Sequence, residues 1–127
     1  ALAEAHTRPE DIDLIIPHGT AISEDDASEA AGIASALGPA AAKIPALPTK
    51  SMLSNTGAAG GGLDVVAAVC AIRDGIIPAA QNCSNKASRC SLNIPNRRIH
   101  KKIRRVLCCG YTYAAQTAAL VIGAVEG

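Results

Sequence analysis

The sequence predicts an α/β domain in which helices cover a mixed sheet, with elements in the order β-α-β-α-β-β. Three observations carry this. Ile12-Asp13-Leu14-Ile15-Ile16 is a short apolar run stopped by Pro17, and it reads as a buried strand. Ala27, Ala30, Ala31, Ala34 and Leu37 recur at helical spacing and end at Gly38-Pro39, a stop signal. Arg105 to Gly110 and Gln116 to Ile122 are apolar runs separated by a small-residue turn, which reads as an antiparallel pair.

The elements follow in order. Ala1-Leu2-Ala3-Glu4-Ala5 reads as the last turns of a helix already under way, which hints at a truncated or split protein. Ser23 followed by Asp26 resembles a capping box, with Glu24 and Asp25 favourably placed in the first helical turn. A second strand is expected around Ile44 to Leu47. The glycine-rich turn from Asn55 to Gly62 opens a helix from Leu63 to about Arg73, closed by Asp74-Gly75. Pro78 to Pro95 is mostly polar and reads as loop with a short strand. There is no internal repeat, and residues 1–127 read as one domain or a piece of a larger one.

Composition narrows the function classes. Hydrophobic residues make up 49% of the chain, Ala foremost, with no Trp or Phe and two Tyr, Tyr111 and Tyr113. A Phe or Trp buries roughly 150–250 Å². Without them the core must come from close approach of Ala, Val, Ile and Leu, which suits helices lying tightly on a sheet. A compact chain of this size buries about two-thirds of its unfolded surface. Up to residue 64 there are three Lys/Arg against nine Asp/Glu, and beyond it nine against two. The basic half peaks at Arg97-Arg98-Ile99-His100-Lys101-Lys102-Ile103-Arg104-Arg105. This run reads either as a solvated loop and strand entrance or as a patch for an acidic partner. Nucleic acid fits poorly, since no aromatic residues interleave with the basic ones to stack on bases. Cysteines at 70, 83, 90, 108 and 109 form no CxxC pair and have no His at zinc-ligand spacing, so a metal is not expected. Their odd number, with no secretory leader, points to a reducing, cytoplasmic setting. No apolar stretch reaches transmembrane length.

Three motifs span nearly the whole chain. Pro17-His18-Gly19-Thr20 follows the first strand, with Asp26 and Glu29 opening the next helix. Lys50-Ser51-Met52 is followed by Asn55, by Ala58-Ala59-Gly60-Gly61 and by Asp64. Tyr111-Thr112-Tyr113-Ala114-Ala115-Gln116-Thr117-Ala118-Ala119-Leu120 joins the last two strands. Together they resemble the β-ketoacyl synthase branch of the thiolase superfamily: its HGT turn, its KSM, catalytic His and GAAG, and its FGFGGQNASL turn. The resemblance implies a thiolase-like C-terminal half in residues 1–127. The N-terminal half, with the nucleophilic cysteine, would lie outside them.

In that family a cysteine takes an acyl chain as a thioester, and two histidines promote decarboxylation of a malonyl thioester. The resulting enolate attacks the acyl group, and its oxygen needs fixed hydrogen-bond donors in a water-poor pocket. The resemblance gives His18 the role of such a donor. Asn55 stands where the family has its second histidine. It reads as a neutral donor, as in the Cys-His-Asn set of the ketoacyl synthase III and chalcone synthase branches, or as drift in a non-catalytic copy. Lys50 supports the histidines by an ion pair in the family; the alternative is a surface lysine. Thr20, Tyr113 and Ala114 would line the substrate pocket or support its oxyanion, with Asp26, Glu29 and Asp64 as structural support. Tyr113 matches a gating Phe, and Ala114-Ala115 replaces two glycines, adding Cβ atoms to a turn that needs backbone freedom. None of the five cysteines matches the nucleophile motif; Cys90, near Arg89, is the nearest to a cationic neighbour. No cofactor or metal is implied.

Two functions follow. The chain is part of a condensing enzyme of fatty-acid or polyketide synthesis, completed by its N-terminal half. Alternatively it is a non-catalytic, chain-length-factor-like partner of a sister synthase subunit. Acyl carrier proteins are acidic, so Arg97, Arg98, Lys101 and Lys102 are candidates for docking one.

Overall fold

The computed structural model describes residues 1–83 and 90–125. Its elements are β1 (Leu14–Ile16), α1 (Ser23–Leu37), the one-turn α2 (Lys50–Leu53), α3 (Gly60–Asp74), β2 (Ile76–Ile77), β3 (Ile99–His100), β4 (Arg105–Tyr111) and β5 (Thr117–Gly123). β1 is buried at every residue because its two faces meet different cores. Ile15 packs with Ile33 and Leu37 of α1, while Leu14 and Ile16 pack with Ala68 and Ala71 of α3. Alternate residues of β4 divide likewise, Leu107 toward α1 and Val106 and Cys108 toward α3. Each fully buried Leu or Ile in this sandwich contributes about 1.5–3 kcal/mol.

The sheet is mixed. β1 runs parallel to β4, Leu14 opposite Val106 and Ile16 opposite Cys108. β5 runs antiparallel to β4, from Gly123 opposite Arg105 to Thr117 opposite Tyr111. β2 and β3 form a separate antiparallel ribbon, so the basic run contributes a two-residue strand. The strand expected at Ile44 to Leu47 shrinks to isolated bridges, Ala46 with Ile15 and Pro45 with Asn93. The Leu47 amide donates to Ile15 (2.8 Å) and the Ala46 amide to Asn93 (2.8 Å), so the segment is extended. Pro45 and Pro48 have no N–H to lengthen either ladder.

The helix starts also differ from expectation. No side chain caps α1: Ile22 holds the cap position, Ser23 is already helical, and Asp26 is turned to other partners. The three acidic residues Glu24, Asp25 and Asp26 complement the positive N-terminus instead. α3 begins at Gly60, three residues before the expected start, and ends at Gly75 in the left-handed region (φ 64°). A Cβ there would come 3.1 Å from the Lys101 carbonyl oxygen, so this stop requires glycine. Two apolar surfaces have nothing over them among the described residues. Val66 and Val69 on α3 are 57% and 50% exposed, and β5 is exposed from Thr117 to Leu120. Among the described residues no helix is long and apolar enough to cross a membrane.

Candidate active site

Where β1 ends, the chain turns through His18-Gly19-Thr20, and three successive backbone N–H groups point at α1. The His18 and Gly19 amides donate to the two oxygens of Glu29, at 2.7 and 3.0 Å. The Thr20 amide donates to Asp26 Oδ1 at 2.8 Å. Asp26 and Glu29 are three residues apart on a helix, so both lie on the face beside the turn. Gly19 has φ 52°, and a Cβ on it would touch Pro48 at 3.4 Å; this is the second position where glycine is needed. Burial pushes the Glu29 carboxyl above its ordinary range, although the two amides and Lys50 favour its ionised form.

A second set of groups fixes the other side of the turn. Lys50 Nζ donates to the His18 carbonyl oxygen at 2.6 Å and lies 3.7 Å from Asp64 Oδ2. The Lys50 and Asp64 side chains are 8% and 6% exposed, so this is a buried ion pair. The Thr49 hydroxyl donates a hydrogen bond to Asp64. Lys50 lies along the start of α3 beside Gly60, where a Cβ would meet Lys50 Cε only at ordinary contact distance, 3.7 Å. The His18 ring packs on Tyr111 at the end of β4, with centroids 4.3 Å apart and planes tilted by 53°. Burial, then the Lys50 charge, holds the His18 imidazole below its ordinary value of 6.5, against the opposing charges of Asp64 and Asp26. A neutral imidazole at pH 7 carries one N–H donor and one acceptor. Such a ring can donate to a developing oxyanion while keeping its second nitrogen for another contact.

The remaining candidates spread around a cleft of about 510 Å³ whose walls include Gly19, Thr20, Asp26, Lys50 and Asn55. Asn55 is exposed, and its side-chain oxygen accepts the Gly57 amide at 3.1 Å. Its two amide N–H groups have no partner among the described residues. Ser54, just before it, has φ 67° and ψ 173°, a conformation natural to glycine. Tyr113 is 88% exposed at the β4–β5 turn; it and its exposed neighbour Ala114 are not among the walls of this cleft. Ala115 takes φ 59° despite its Cβ, and the turn is closed by hydrogen bonds between Thr112 and Gln116 and from Ala115 to Thr112.

Burial pushes the thiols of Cys108 and Cys109 up to about 12 and about 11, which makes both poor nucleophiles. Cys90 is half-buried at the cleft wall, and Arg89 lies outside the described residues. In the basic run Arg97, Arg98 and Lys102 are exposed, whereas Lys101 Nζ is held by Asp13 at 2.8 Å.

Residues 1–84 match the family described as β-ketoacyl synthase, C-terminal domain, which is well over half the chain. The chain belongs to the β-ketoacyl synthase C-terminal domain family. It is 33% identical over 126 residues to 3-oxoacyl-acyl-carrier-protein synthase 2 of Coxiella burnetii, covering 98% of this chain and 30% of that protein. Its backbone is similar to the ishigamide ketosynthase/chain length factor, with a TM-score of 0.92 at 31% identity. It is also similar to a type II PKS acyl-carrier protein in complex with its ketosynthase bound to the hexaketide, with a TM-score of 0.93 at 26% identity. Each of these likenesses covers 99% of this chain and 31% of the other. The β-ketoacyl synthase domain described here therefore spans under a third of the proteins it resembles.

Two contributors escape a reading of the sequence. Thr49 directly precedes Lys50, yet a threonine before a lysine carries no signal of its own. Tyr111 opens the third motif, and its meeting with His18 depends on the pairing of β1 with β4.

Proposed function

We propose that this domain is part of a β-ketoacyl synthase that condenses an acyl thioester with a malonyl-carrier protein, in fatty-acid or polyketide synthesis. One observation carries the reading. A buried lysine–aspartate pair grips the carbonyl of the same histidine whose ring is kept below its ordinary pKa. That is what an oxyanion donor needs: a fixed backbone and a neutral N–H. In this reading His18 donates to the enolate oxygen as carbon dioxide leaves, and the Asn55 amide, with its N–H groups uncommitted, takes the second donor position. Lys50 and Asp64 are positioning groups, Asp26 and Glu29 hold the turn, and Thr20, Tyr113 and Ala114 face the substrate in the completed enzyme. The nucleophilic cysteine comes from the N-terminal half. Arg97, Arg98 and Lys102 form the docking patch for an acidic carrier protein, with Lys101 tied to Asp13. The protein works in the cytoplasm.

A second reading is favoured by Asn55 itself. An exposed amide in place of a titratable group suits a chain-length-factor-like subunit, which shapes the acyl pocket of a sister synthase without turning over. One experiment separates the two. The protein is purified with every co-purifying chain and treated with an acyl-mimicking, thiol-directed reagent; adducts are located by peptide mass spectrometry. Carbon dioxide release from malonyl-carrier protein is then followed for the native complex and for His18→Ala. An adduct, with release lost in His18→Ala, supports the synthase. An adduct on a sister chain, with release unchanged in His18→Ala, supports the second reading. No adduct anywhere in the complex sinks the synthase.

A further inference from the structure

The aromatic content of this chain is two tyrosines, and one of them is spent on His18. The Tyr111 ring lies against the imidazole, with centroids 4.3 Å apart and planes tilted by 53°. Its hydroxyl is buried and makes no hydrogen bond among the described residues; Thr20, on the far side of the same turn, is near enough to favour its ionisation but outside hydrogen-bonding geometry. Burial is nevertheless the larger influence and raises the phenol, with Glu29, Asp25 and Asp26 adding to it. A buried hydroxyl without a partner is unfavourable by itself, so it is the ring that suits this position.

The other groups described around His18 bind its backbone or act on the ring through charge. Glu29 from α1 holds the backbone amide of His18, and Lys50 from α2 holds its carbonyl. Asp26 from α1 and Asp64 from α3 act on the imidazole through their charge, as does Lys50. Tyr111 from β4 is the ring contact described for this imidazole. We propose that Tyr111 is the positioning residue for His18: its aromatic face sets the tilt of the imidazole and shields one side of it from water, and its hydroxyl is dispensable for both. The consequence for turnover rests on the reading of His18 as the enolate-stabilising donor; the consequence for the imidazole itself does not.

The test is an NMR pH titration of the histidine ring protons in the chain, with His18 among the three histidines identified by the resonance lost in His18→Gln. Tyr111→Phe keeps the ring and removes the hydroxyl, while Tyr111→Leu removes the ring. The expected result is that His18 titrates below 6.5 in the native chain and in Tyr111→Phe, and moves up toward that value in Tyr111→Leu. An unchanged titration in Tyr111→Leu overturns the proposal, and so does Tyr111→Phe moving as far as Tyr111→Leu. Should Tyr111→Leu not fold, Tyr111→Trp stands in for it: a retained flat face must keep the low titration, and a rise to the ordinary value is again a refutation. In the complete synthase, Tyr111→Leu should lower kcat by roughly tenfold to a hundredfold with little change in KM, since a donor displaced by about 1 Å loses that much. A synthase inactive in its native form would overturn the functional reading and leave the titration result standing.

Discussion

The Lys50–Asp64 pair offers the sharpest test of how this site is held. Its charges are 3.7 Å apart with side chains 8% and 6% exposed. At that separation an attraction of about 4 kcal/mol is expected for an effective dielectric near 20, offset by the cost of taking both ions out of water. Removing one partner strands the other. For Asp64→Asn the amide oxygen still accepts from Thr49, and Lys50 retains the His18 carbonyl. The loss is therefore near the lower end of the usual range, about 3 kcal/mol. Lys50→Met leaves a buried carboxylate with the Thr49 hydroxyl and should be destabilising by about 3–5 kcal/mol. The double variant buries no charge and should lose only about 1–2 kcal/mol, so the two effects fall far short of adding. Urea unfolding at pH 7, followed by far-ultraviolet circular dichroism, measures all four corners of this cycle. Should the single losses sum to the double within about 0.5 kcal/mol, the two residues are energetically independent and the pair does not hold the turn.

Other consequences are as direct. Lys50→Met should raise the titration of His18, because the Lys50 cation is one of the two causes holding it down; the ring-proton titration reads this. Desolvation of Asp13 is outweighed by Lys101 and the Arg104 and Arg105 amides, so its pKa lies below the ordinary 3.8. The stabilisation is then fully present above 3.8 and is lost as pH falls through the depressed value. Asp13→Asn should therefore lose about 1.5 kcal/mol at pH 7, and the gap from the native chain in urea midpoints should close in acid; a gap constant with pH contradicts this. Ala115→Gly and Ser54→Gly remove left-handed backbone from residues with a Cβ. After the entropy glycine gives back to the unfolded chain, each should stabilise by about 0.5–1 kcal/mol, measurable as a higher thermal midpoint. Cys108 and Cys109, pushed up to about 12 and about 11, should resist iodoacetamide at pH 8 in the folded chain and react once it is unfolded in urea.

Much of the fold was legible because its signals are local. The helical recurrence ending at Leu37-Gly38-Pro39, the run into Pro17 and the pair of apolar strands each depend on neighbours within a few residues. The failures had two causes, one tertiary and one local. Ser23 and Asp26 have capping-box spacing, but Asp26 accepts the Thr20 amide and no side chain caps the helix. Ile44 to Leu47 has a strand's composition, and the prolines at 45 and 48 reduce it to bridges.

The sequence by itself determined the family and the chemical inventory of the site: a histidine–glycine–threonine turn, a lysine, an asparagine and three carboxylates at recognisable spacing. Which atoms those groups would hold was decided by the tertiary structure. The parallel register of β1 on β4, with Ile16 opposite Cys108, sets the end of β1 beside the end of β4, where the His18 ring meets Tyr111. α3 carries Asp64 under the same turn, where Lys50 can bridge it to the His18 carbonyl across a separation of 32 residues. Contacts of that range follow from strand register and helix placement, which residue spacing along the chain does not encode.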